Sequence, residues 1–485
     1  MTDTRPVIWW IRRDLRLRDN PALQAALAGG RPVLPLYIYD EQDQALGAAP
    51  KFRLGLGLAH FADTLAGLGS RLILRRGRAL DVLTDLIRHS GAAEVIWSRL
   101  YDPAAVARDT EIKNSLKAAD ISVKSTGGRL LFEPWTVNTK AGGMFKVYTP
   151  FWKAVRDREV AGLTDAPAKL PPPAEWPASD ALADYAMSAA MGRGAEIVAR
   201  HCRVGEDAAL EQLDLFLDER VMTYQADRDF PARAATSELS ENLAWGEISP
   251  HRMWHLGQRA RAEGKQGGEH FLKEVVWREF AYHLMFHTPA ILTRSWRPEW
   301  EGFGWHSAGD GHSAGDGTGA AEQLLRWQQG RTGYDFVDAA MRELYVTGKM
   351  HNRARMITAS FLTKHLLLHW KLGMEWFADC LVDWDPAANA MGWQWVAGCG
   401  PDAAPFFRIF NPEGQRDKFD RSGHYVRRWL AEGQSDPPRT ALDYFAAIPS
   451  GWGLSPSAPR AAPLVDLKAG RERALLAYQA YKTGG

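Results

Sequence analysis

Polar and aromatic side chains crowd one stretch of the chain, residues 350–415, where the surrounding pattern is that of apolar helices. Asn352 and Met356 are four positions apart and therefore share one face of a helix. Asn389 and Trp393 have the same spacing. An amide on a largely buried helix requires a hydrogen-bonding partner. Indole rings beside these amides indicate a pocket for a flat aromatic ligand.

A second group of chemically active residues lies earlier, in the run E-V-V-W-R-E-F. Glu274, Trp277 and Arg278 would present a carboxylate, an indole and a guanidinium on one helix face. An intrahelical ion pair beside a core tryptophan would explain this trio without any ligand. Taken with the two amide pairs, the trio favours a substrate pocket.

The run T-S-E-L-S combines hydroxyls with backbone donors, which suits phosphate oxygens. Its members are Thr236, Ser237, Leu239 and Ser240. A helix N-cap is the alternative interpretation, because serine and threonine are common caps.

The elements that position these residues fall into two classes. Strand-like runs alternate with helical segments in the first part: V-I-W-W-I, P-V-L-P-L-Y-I-Y, R-L-I-L-R-R, A-E-V-I-W-S and I-S-V-K-S. This rhythm predicts an α/β domain with a doubly wound parallel sheet. Asn20 before Pro21 predicts a capped helix start. No glycine-rich phosphate fingerprint follows a strand.

The second part of the chain is helical in pattern from about Gly192, which predicts an all-α domain. Between the two, residues 163–188 are rich in Pro and Ala and predict a semi-rigid linker over the surface. We therefore expect an α/β domain at 1–132, a linker at 133–195 and a helical domain at 196–480. A tandem repeat, His306–Gly317, predicts an exposed loop rather than a metal site.

Composition narrows the class of protein. The 485 residues include 20 Trp, and the net charge of +1 gives no general affinity for polyanions. Cys202, Cys380 and Cys399 match neither a disulfide framework nor a four-thiolate cluster, which favours a reducing cytoplasm. No apolar run is long enough to predict a membrane span or a secretory leader.

Motifs in consistent order resemble those of the photolyase and cryptochrome family. They are I-R-R-D-L-R-L-R-D-N-P-A-L near the start, T-S-E-L-S, E-V-V-W-R-E-F, and R-I-F-N-P with the following K-F-D. The resemblance covers nearly the whole chain, and the run W-D-P-A-A-N-A-M-G-W-Q-W is similar to the class III branch. It implies a flavoprotein that binds FAD in its helical domain and uses blue light.

The resemblance implies a role for each residue that matches a family motif. The cofactor-binding set is Tyr224, Thr236, Ser237, Leu239, Ser240, Phe271, Glu274, Arg278, Asn352, Arg355, Asp383, Asp385 and Asn389. In this set Asp383 pairs with Arg355, Asp385 approaches the polar edge of the flavin, and Asn389 faces the ring nitrogen that exchanges a proton. Phe271 and Lys349 replace tryptophans of some relatives.

The implied substrate is DNA that contains a cyclobutane pyrimidine dimer. Trp277 and Trp395 match the walls that clamp the flipped-out lesion, and Glu274 matches the buried acid that bonds a thymine edge. The substrate and DNA-binding set is completed by Asn352, Arg353, Met356, Arg228, Arg408 and Lys418. Photolyases of the (6-4) photoproduct carry histidines in place of Asn352 and Met356, so the cyclobutane dimer is favoured.

Three tryptophans match the chain that carries an electron from the surface to the flavin: Trp393, Trp370 and Trp305. The expected catalytic set is these three with Glu274 and Asn389. Trp327 aligns with a different family tryptophan.

The antenna is expected to be methenyltetrahydrofolate. Ala104 and Ala105 replace the polar residues that hold folate in one branch of the family, so a different set of contacts is required.

The activity implied is that of a deoxyribodipyrimidine photo-lyase, acting as a monomer without a metal or a membrane. A cryptochrome-type photoreceptor without repair activity is the alternative. A dark flavin oxidoreductase with a nicotinamide partner is disfavoured by the missing dinucleotide fingerprint.

Overall fold

The computed structural model describes residues 4–307, 309 and 319–483. Most of the repeat His306–Gly317 lies outside the described residues, so the prediction of an exposed loop there is not addressed. Within the described residues no helix is both long enough and apolar enough to cross a membrane.

The first domain is built on a parallel sheet of five strands, as the sequence predicts. They are β1 (Val7–Ile11), β2 (Val33–Tyr39), β3 (Ile73–Arg76), β4 (Glu94–Ser98) and β5 (Ser122–Thr126), in the order β3-β2-β1-β4-β5. Every residue of the two central strands β1 and β2 is buried, because helices cover both faces of the sheet.

Five helices accompany these strands: α1 (Pro21–Leu27), α2 (Glu41–Gln44), α3 (Ala48–Gly67), α4 (Ala79–Ser90) and α5 (Pro103–Ala118). The predicted start of α1 is confirmed, since the Asn20 side chain accepts a hydrogen bond from the Leu23 N–H at 3.1 Å. Pro21 occupies the first turn, where no N–H is needed.

The segment after β5, which was predicted to include a semi-rigid surface linker, is largely exposed over residues 163–188. It contains α6 (Tyr148–Val155), and its Pro-rich part is bound to the first domain. Val33 N–H donates to Pro171 O at 2.9 Å, and Thr164 N–H donates to Asp19 Oδ1 at 2.8 Å. Leu170 is buried in the core of the first domain. The proline-rich composition therefore produces an extended strap that is hydrogen-bonded to the sheet domain.

The second domain is helical, as predicted. Its helices are α7 (Ala195–Ala199), α8 (Glu206–Leu215), α9 (Tyr224–Asp227), α10 (Ser240–Trp245), α11 (Pro250–Ala262), α12 (Gly268–His287), α13 (Ala320–Gln328), α14 (Asp335–Thr347), α15 (Asn352–Ser360), α16 (Trp370–Cys380), α17 (Pro386–Ala397), α18 (Pro412–Phe419), α19 (His424–Trp429), α20 (Arg439–Ala447) and α21 (Leu467–Thr483). The helix α17 packs against α12, α15 and α16.

A buried ionic network joins the two domains. Arg53 on α3 donates to Glu241 at 3.0 Å and to Glu247 at 2.5 Å, and all three side chains are fully buried. Lys349 Nζ donates to the other oxygen of Glu241 at 2.5 Å. Buried charges of this kind are tolerated when they are paired and hydrogen-bonded. The network fixes α10, which follows the T-S-E-L-S run, against the sheet domain.

Candidate active site

A cavity of about 810 Å³ lies inside the helical domain. Every residue predicted to bind the cofactor lines it: Tyr224, Thr236, Ser237, Leu239, Ser240, Phe271, Glu274, Arg278, Asn352, Arg355, Asp383, Asp385 and Asn389. Helices α10, α12, α15 and α17 supply most of these side chains. Residues that are far apart in sequence thus meet around one volume, which is of the size expected for a cofactor site.

The start of α17 places two of the polar groups. Asp385 is the N-cap, and its Oδ1 accepts from the Ala388 N–H at 3.0 Å. Pro386 follows in the first turn. Asn389 donates its side-chain N–H to the Asp385 carbonyl at 3.0 Å and is 8% exposed. This bond uses the amide nitrogen and holds the side chain against the helix start.

Asp383 and Arg355 form the pair that the sequence predicts, with Nη2 and Oδ2 at 2.8 Å. Arg355 also donates Nε–H to Met350 O at 2.8 Å. The other oxygen of Asp383 is buried and has no hydrogen-bond partner among the described residues. A buried acceptor without a partner at a cavity wall would suit a ligand that carries an N–H or O–H donor.

Arg278 provides the complementary donors. Its Nη1 donates to Arg129 O at 2.9 Å, while Nε and Nη2 are buried without a partner among the described residues. Arg278 and Asp383 both line the cavity. Unsatisfied donors and acceptors therefore occur together at its wall, as expected for a site that binds a polar ring system such as FAD.

The T-S-E-L-S run does not act as a helix cap. Leu239 occupies the N-cap position of α10, and no side chain caps that helix. The Thr236 and Ser237 carbonyls accept hydrogen bonds from Arg220 and Gln212, at 3.3 and 2.8 Å. These bonds fix the backbone and leave the hydroxyls available to a ligand.

Glu274 is less enclosed than expected for a buried acid. Its side chain is 32% exposed and forms an ion pair with Arg228. The expected burial of this acid is therefore only partial in this structure. Arg228 was expected to face DNA, but its guanidinium is held by Glu274 and lies 5.3 Å from the Tyr224 ring centre.

The two predicted aromatic walls, Trp277 and Trp395, both line the cavity and are half-buried. Trp277 is stacked on Tyr148 with ring centres 3.6 Å apart and an angle of 6° between the planes. Tyr148 also donates its hydroxyl to Lys273 O at 2.6 Å. The sequence analysis missed Tyr148, because it lies on α6 within the segment interpreted as a linker.

Asn352 and Met356 both line the cavity, but both side chains are less buried than the sequence pattern predicts. Asn352 is exposed in the first turn of α15, where the His351 side chain accepts from the Arg353 N–H at 3.1 Å. Met356 is half-buried. This pair therefore occupies the accessible end of the cavity.

The remaining predicted DNA contacts lie outside the cavity lining. Arg353 is paired with Asp229 at 2.5 Å and lies over the Phe419 ring. Arg408 and Lys418 are exposed. Beside Arg408, the Phe407 ring is 61% exposed, which is unusual for so large an apolar side chain.

Of the three tryptophans in the predicted electron-transfer chain, one lines the cavity. Trp393 lines it and packs so closely on α16 that a methyl group added to Gly373 would lie 2.0 Å from the indole. Trp370 is fully buried at the start of α16. The His369 ring lies 5.5 Å from Trp370 and 5.4 Å from Trp305.

Trp305 does not form the surface end that the prediction requires. It is 8% exposed and donates its N–H to Thr363 O at 3.1 Å. Its ring is stacked against that of Trp300 at 5.7 Å. Trp305 is therefore an interior member of an aromatic cluster.

A second cavity of about 320 Å³ lies between the two domains and is called the interface cavity below. Its lining includes Trp10, Arg13, Asp40, Ala104, Arg108, Arg129, Trp245, Tyr282, Trp384 and Pro386. Ala105 is fully buried and cannot contact a ligand there. Trp384 and Pro386 flank Asp385, which lines the first cavity, so the loop before α17 contributes to the walls of both cavities.

Tyr282 and Arg129 were also missed by the sequence analysis. Tyr282 donates its hydroxyl to Asp385 Oδ2 at 2.8 Å, and Arg129 donates to the same hydroxyl at 2.8 Å. For Tyr282 a signal existed, since it follows Glu274 and Arg278 at four-residue steps on one helix face. Arg129 had no such pattern.

Metal ligation is not supported in the part of the chain that the structure describes. There, no group of three or more His, Cys, Asp or Glu side chains is arranged to hold an ion.

Comparison with known proteins gives a consistent result. Residues 271–480 match the family described as the FAD binding domain of DNA photolyase, and residues 7–174 match the DNA photolyase family. The chain is 43% identical to the deoxyribodipyrimidine photo-lyase of Agrobacterium fabrum, over 99% of this chain and 98% of that protein. It is 32% identical to cryptochrome-2 of Arabidopsis thaliana, over 96% of this chain and 74% of that protein.

Among solved structures, a bacterial class III photolyase from Agrobacterium tumefaciens superimposes with a TM-score of 0.90 at 42% identity, covering 100% of this chain and 99% of that one. The similarity therefore spans both domains. The chain belongs to the photolyase and cryptochrome family, and its helical part is an FAD-binding domain.

Proposed function

We propose that this protein is a deoxyribodipyrimidine photo-lyase that repairs cyclobutane pyrimidine dimers in DNA with blue light. Full-length similarity to such an enzyme supports this activity. The single observation that carries the proposal is that the cofactor-facing and lesion-facing residues line one cavity. A cofactor and a flipped base could therefore lie close together, which favours fast electron transfer.

The buried end of the cavity suits FAD. The hydroxyls of Thr236, Ser237 and Ser240 would hold the pyrophosphate, with backbone donors of the same run. Arg278 and Asp383 would supply a donor and an acceptor to the polar ring edges, since both have unused buried atoms. When bound and reduced, FAD supplies an electron on absorbing blue light.

Asn389 would set the protonation of the neighbouring ring nitrogen. One N–H of its amide is bonded to the Asp385 carbonyl, which leaves the second N–H and the oxygen to face the cofactor. An amide does not exchange a proton with the ring as a carboxyl group can, so Asn389 favours the fully reduced anionic flavin.

The open end of the cavity suits the lesion. A dimer stacks poorly in the duplex, so flipping it out costs less than flipping normal bases. Trp277 and Trp395 would clamp it, and Tyr148 stiffens the Trp277 wall by stacking on its far face. Glu274 would accept a hydrogen bond from an N–H at the thymine edge while its carboxylate is paired with Arg228.

Asn352 and Met356 support the choice of lesion. Neither side chain can act as an acid or a base, so this end of the cavity has no group at those positions for the proton transfer that a (6-4) photoproduct requires. Opening a cyclobutane ring needs an electron and its return, with no proton relay. The substrate class that fits these two residues is the cyclobutane dimer.

Electron supply to an oxidised cofactor would begin at Trp393 and pass to Trp370. Both are buried, and Trp393 packs directly on the helix that begins with Trp370. Trp305 would be an interior member of this chain, connected through the His369 ring.

The interface cavity is the proposed site of the antenna, methenyltetrahydrofolate. Indole rings of Trp10, Trp245 and Trp384 line it, as a flat pterin requires. The Arg13 guanidinium also lines it, 4.4 Å from the Trp245 ring centre, and would attract the carboxylates of a folate tail.

DNA binding would use exposed cations around the cavity mouth, including Arg408 and Lys418. The partly exposed ion pair between Arg353 and Asp229 would shape this face more than bind phosphate. We further propose that the protein acts as a monomer. The three cysteines are free, which supports a cytoplasmic location.

A cryptochrome-type photoreceptor is the second candidate, favoured by the full-length similarity to cryptochrome-2 of Arabidopsis thaliana. The two functions differ in what happens to a lesion. A receptor would accumulate a flavin radical in light and leave dimers intact.

The proposal is tested by illuminating photoreduced protein with an oligothymidine that contains cyclobutane dimers. Thymine absorbance should recover in blue light and stay unchanged in a dark sample. If FAD is bound and reduced and absorbance does not recover, the repair function is wrong and the receptor becomes the better account.

A further inference from the structure

Three buried side chains form a hydrogen-bonded chain between the interface cavity and the larger cavity of the helical domain. The larger cavity, of about 810 Å³, is called the flavin cavity below. Arg129 Nη2 donates to the Tyr282 hydroxyl at 2.8 Å, and that hydroxyl donates to Asp385 Oδ2 at 2.8 Å. Arg129 and Tyr282 line the interface cavity, and Asp385 lines the flavin cavity. Their exposures are 6%, 3% and 6%, so solvent screens these contacts little.

The Tyr282 hydroxyl is bonded to the Asp385 oxygen that does not take part in the helix cap. Oδ1 of Asp385 is occupied by the Ala388 N–H in the helix cap. The two nearby guanidiniums, of Arg129 and Arg278, lie 3.8 and 3.9 Å from Oδ2, which is beyond hydrogen-bonding distance. Among the described residues, Tyr282 is therefore the hydrogen-bond donor to Oδ2. Burial raises the pKa of Tyr282 above its usual value, so the hydroxyl keeps its proton.

Asp385 is connected to residues that line the flavin cavity. Asp385 starts α17, and its carbonyl holds the Asn389 side chain at 3.0 Å. The same helix carries Trp393 and Trp395. Tyr282 thus contacts the side chain of the residue whose backbone carbonyl holds the Asn389 amide.

We propose that Tyr282 is a positioning residue that holds the Asp385 carboxylate at the wall of the flavin cavity and couples it to Arg129 of the interface cavity, in addition to the direct attraction between Arg129 Nη2 and Asp385 Oδ2 at 3.8 Å. The proposal rests on FAD binding in that cavity and does not require dimer repair. It implies that the redox balance of the flavin depends on a residue of the interface cavity that does not line the flavin cavity.

The first test compares Tyr282→Phe with the wild-type holoprotein. Loss of the hydroxyl leaves the charge on Oδ2 less neutralised, which disfavours electron uptake nearby. We expect the equilibrium between oxidised and reduced FAD, measured against a reference dye, to shift about tenfold toward oxidised FAD, or ~30 mV for two electrons. An unchanged equilibrium with unchanged FAD retention would overturn the proposal. Loss of FAD from a folded variant would support it.

Tyr185→Phe is the matched control. The Tyr185 hydroxyl also donates to a carboxylate, Asp180, at 2.9 Å, and the residue is 5% exposed. It lines neither cavity. Its removal should leave the flavin equilibrium unchanged. An equal shift in both variants would show a general effect of losing a buried hydroxyl and would overturn the proposal.

The second test is a double-mutant cycle with Arg129→Gln. Because Arg129 is bonded to the Tyr282 hydroxyl and both groups act on Asp385 Oδ2, Arg129→Gln should shift the flavin equilibrium several-fold in wild-type protein and by a smaller factor in the Tyr282→Phe background. Additive shifts would show that Tyr282 does not couple Arg129 to Asp385 and would overturn the proposal. If Tyr282→Phe does not fold, Arg129→Gln alone decides, and an unchanged equilibrium contradicts the proposal. Dimer repair by the wild type is measured separately, so failure of the repair function would remain distinguishable.

Discussion

The two ends of the flavin cavity are built differently. At the cofactor end, Asp383, Asp385 and Asn389 are 5, 6 and 8% exposed and are bonded to neighbouring protein groups. At the lesion end, Glu274 is 32% exposed and Asn352 is exposed. One end is preorganised before any ligand arrives, and the other is open to solvent.

This difference corresponds to what each end has to bind. A cofactor that stays in place benefits from a rigid, desolvated site, because ordering costs are met during folding. A DNA lesion must enter and leave in each cycle, so its contacts must be accessible. Substitutions at the cofactor end should therefore abolish binding, and substitutions at the lesion end should change the yield of a reaction that still occurs.

The largest effect is expected at the cofactor end, for Asp383→Ala. Removing the Asp383 carboxylate leaves the Arg355 charge uncompensated. Breaking a buried ion pair in this way lowers the free energy of unfolding by about 3–5 kcal/mol. We expect FAD affinity to fall at least ~100-fold, measured as FAD absorbance per protein after dialysis. Asp157→Ala, at a site with a 72% exposed side chain, is the control and should retain FAD. Full FAD retention by Asp383→Ala would contradict the preorganised site.

A smaller effect is expected at the lesion end, for Glu274→Ala. Loss of a charged hydrogen bond to the lesion costs roughly 1.5–3 kcal/mol, or about 10- to 100-fold in repair yield. The affinity for dimer-containing DNA should fall much less, and Glu274→Gln should retain part of the yield. Equal losses of yield and affinity would show that Glu274 only binds.

The sequence predicted much of the cofactor end and less of the lesion end. Asp385 before Pro386 is a local signal, and the pairing of Asp383 with Arg355 followed from the family resemblance. The stacking of Tyr148 on Trp277 depends on how the segment after β5 returns to α12, which no local pattern encodes. The exposure of Glu274 and the burial of Trp305 are likewise tertiary properties.

A still smaller effect is expected at the exposed rim, for Lys418→Ala. One phosphate contact contributes about one unit to the slope of log affinity against log salt concentration. We expect DNA affinity at low salt to fall several-fold and the slope to decrease by about one, with or without a dimer. Lys117→Ala, exposed on α5 in the other domain, is the control. An unchanged slope would place Lys418 outside the DNA face.

The last effect concerns the stability of the fold and not ligand binding, at Glu279, which is next to Arg278 on α12. Burial raises the pKa of Glu279 to about 7, while the Leu131 N–H donates to its carboxylate at 2.8 Å. A raised carboxyl pKa means that the folded state favours the proton. Its contribution to stability is full below pH 4.5 and is lost as the pH rises toward 7.

Glu279→Gln removes this titration. The melting temperature of Glu279→Gln relative to wild type should therefore rise between pH 4.5 and 8, by the equivalent of at most about 3 kcal/mol. Melting curves of both proteins at several pH values provide the measurement. A difference that does not vary with pH would exclude a raised pKa at this position.

The most direct test of the central claim is repair of two defined lesions by one preparation of reduced protein in blue light. One duplex carries a single cyclobutane thymine dimer, and the other carries a single (6-4) photoproduct at the same site. We expect the first to be restored to two thymines and the second to remain unchanged, measured by chromatography of the digested DNA. Repair of the (6-4) duplex, or of neither duplex while FAD is bound and reduced, would contradict the account.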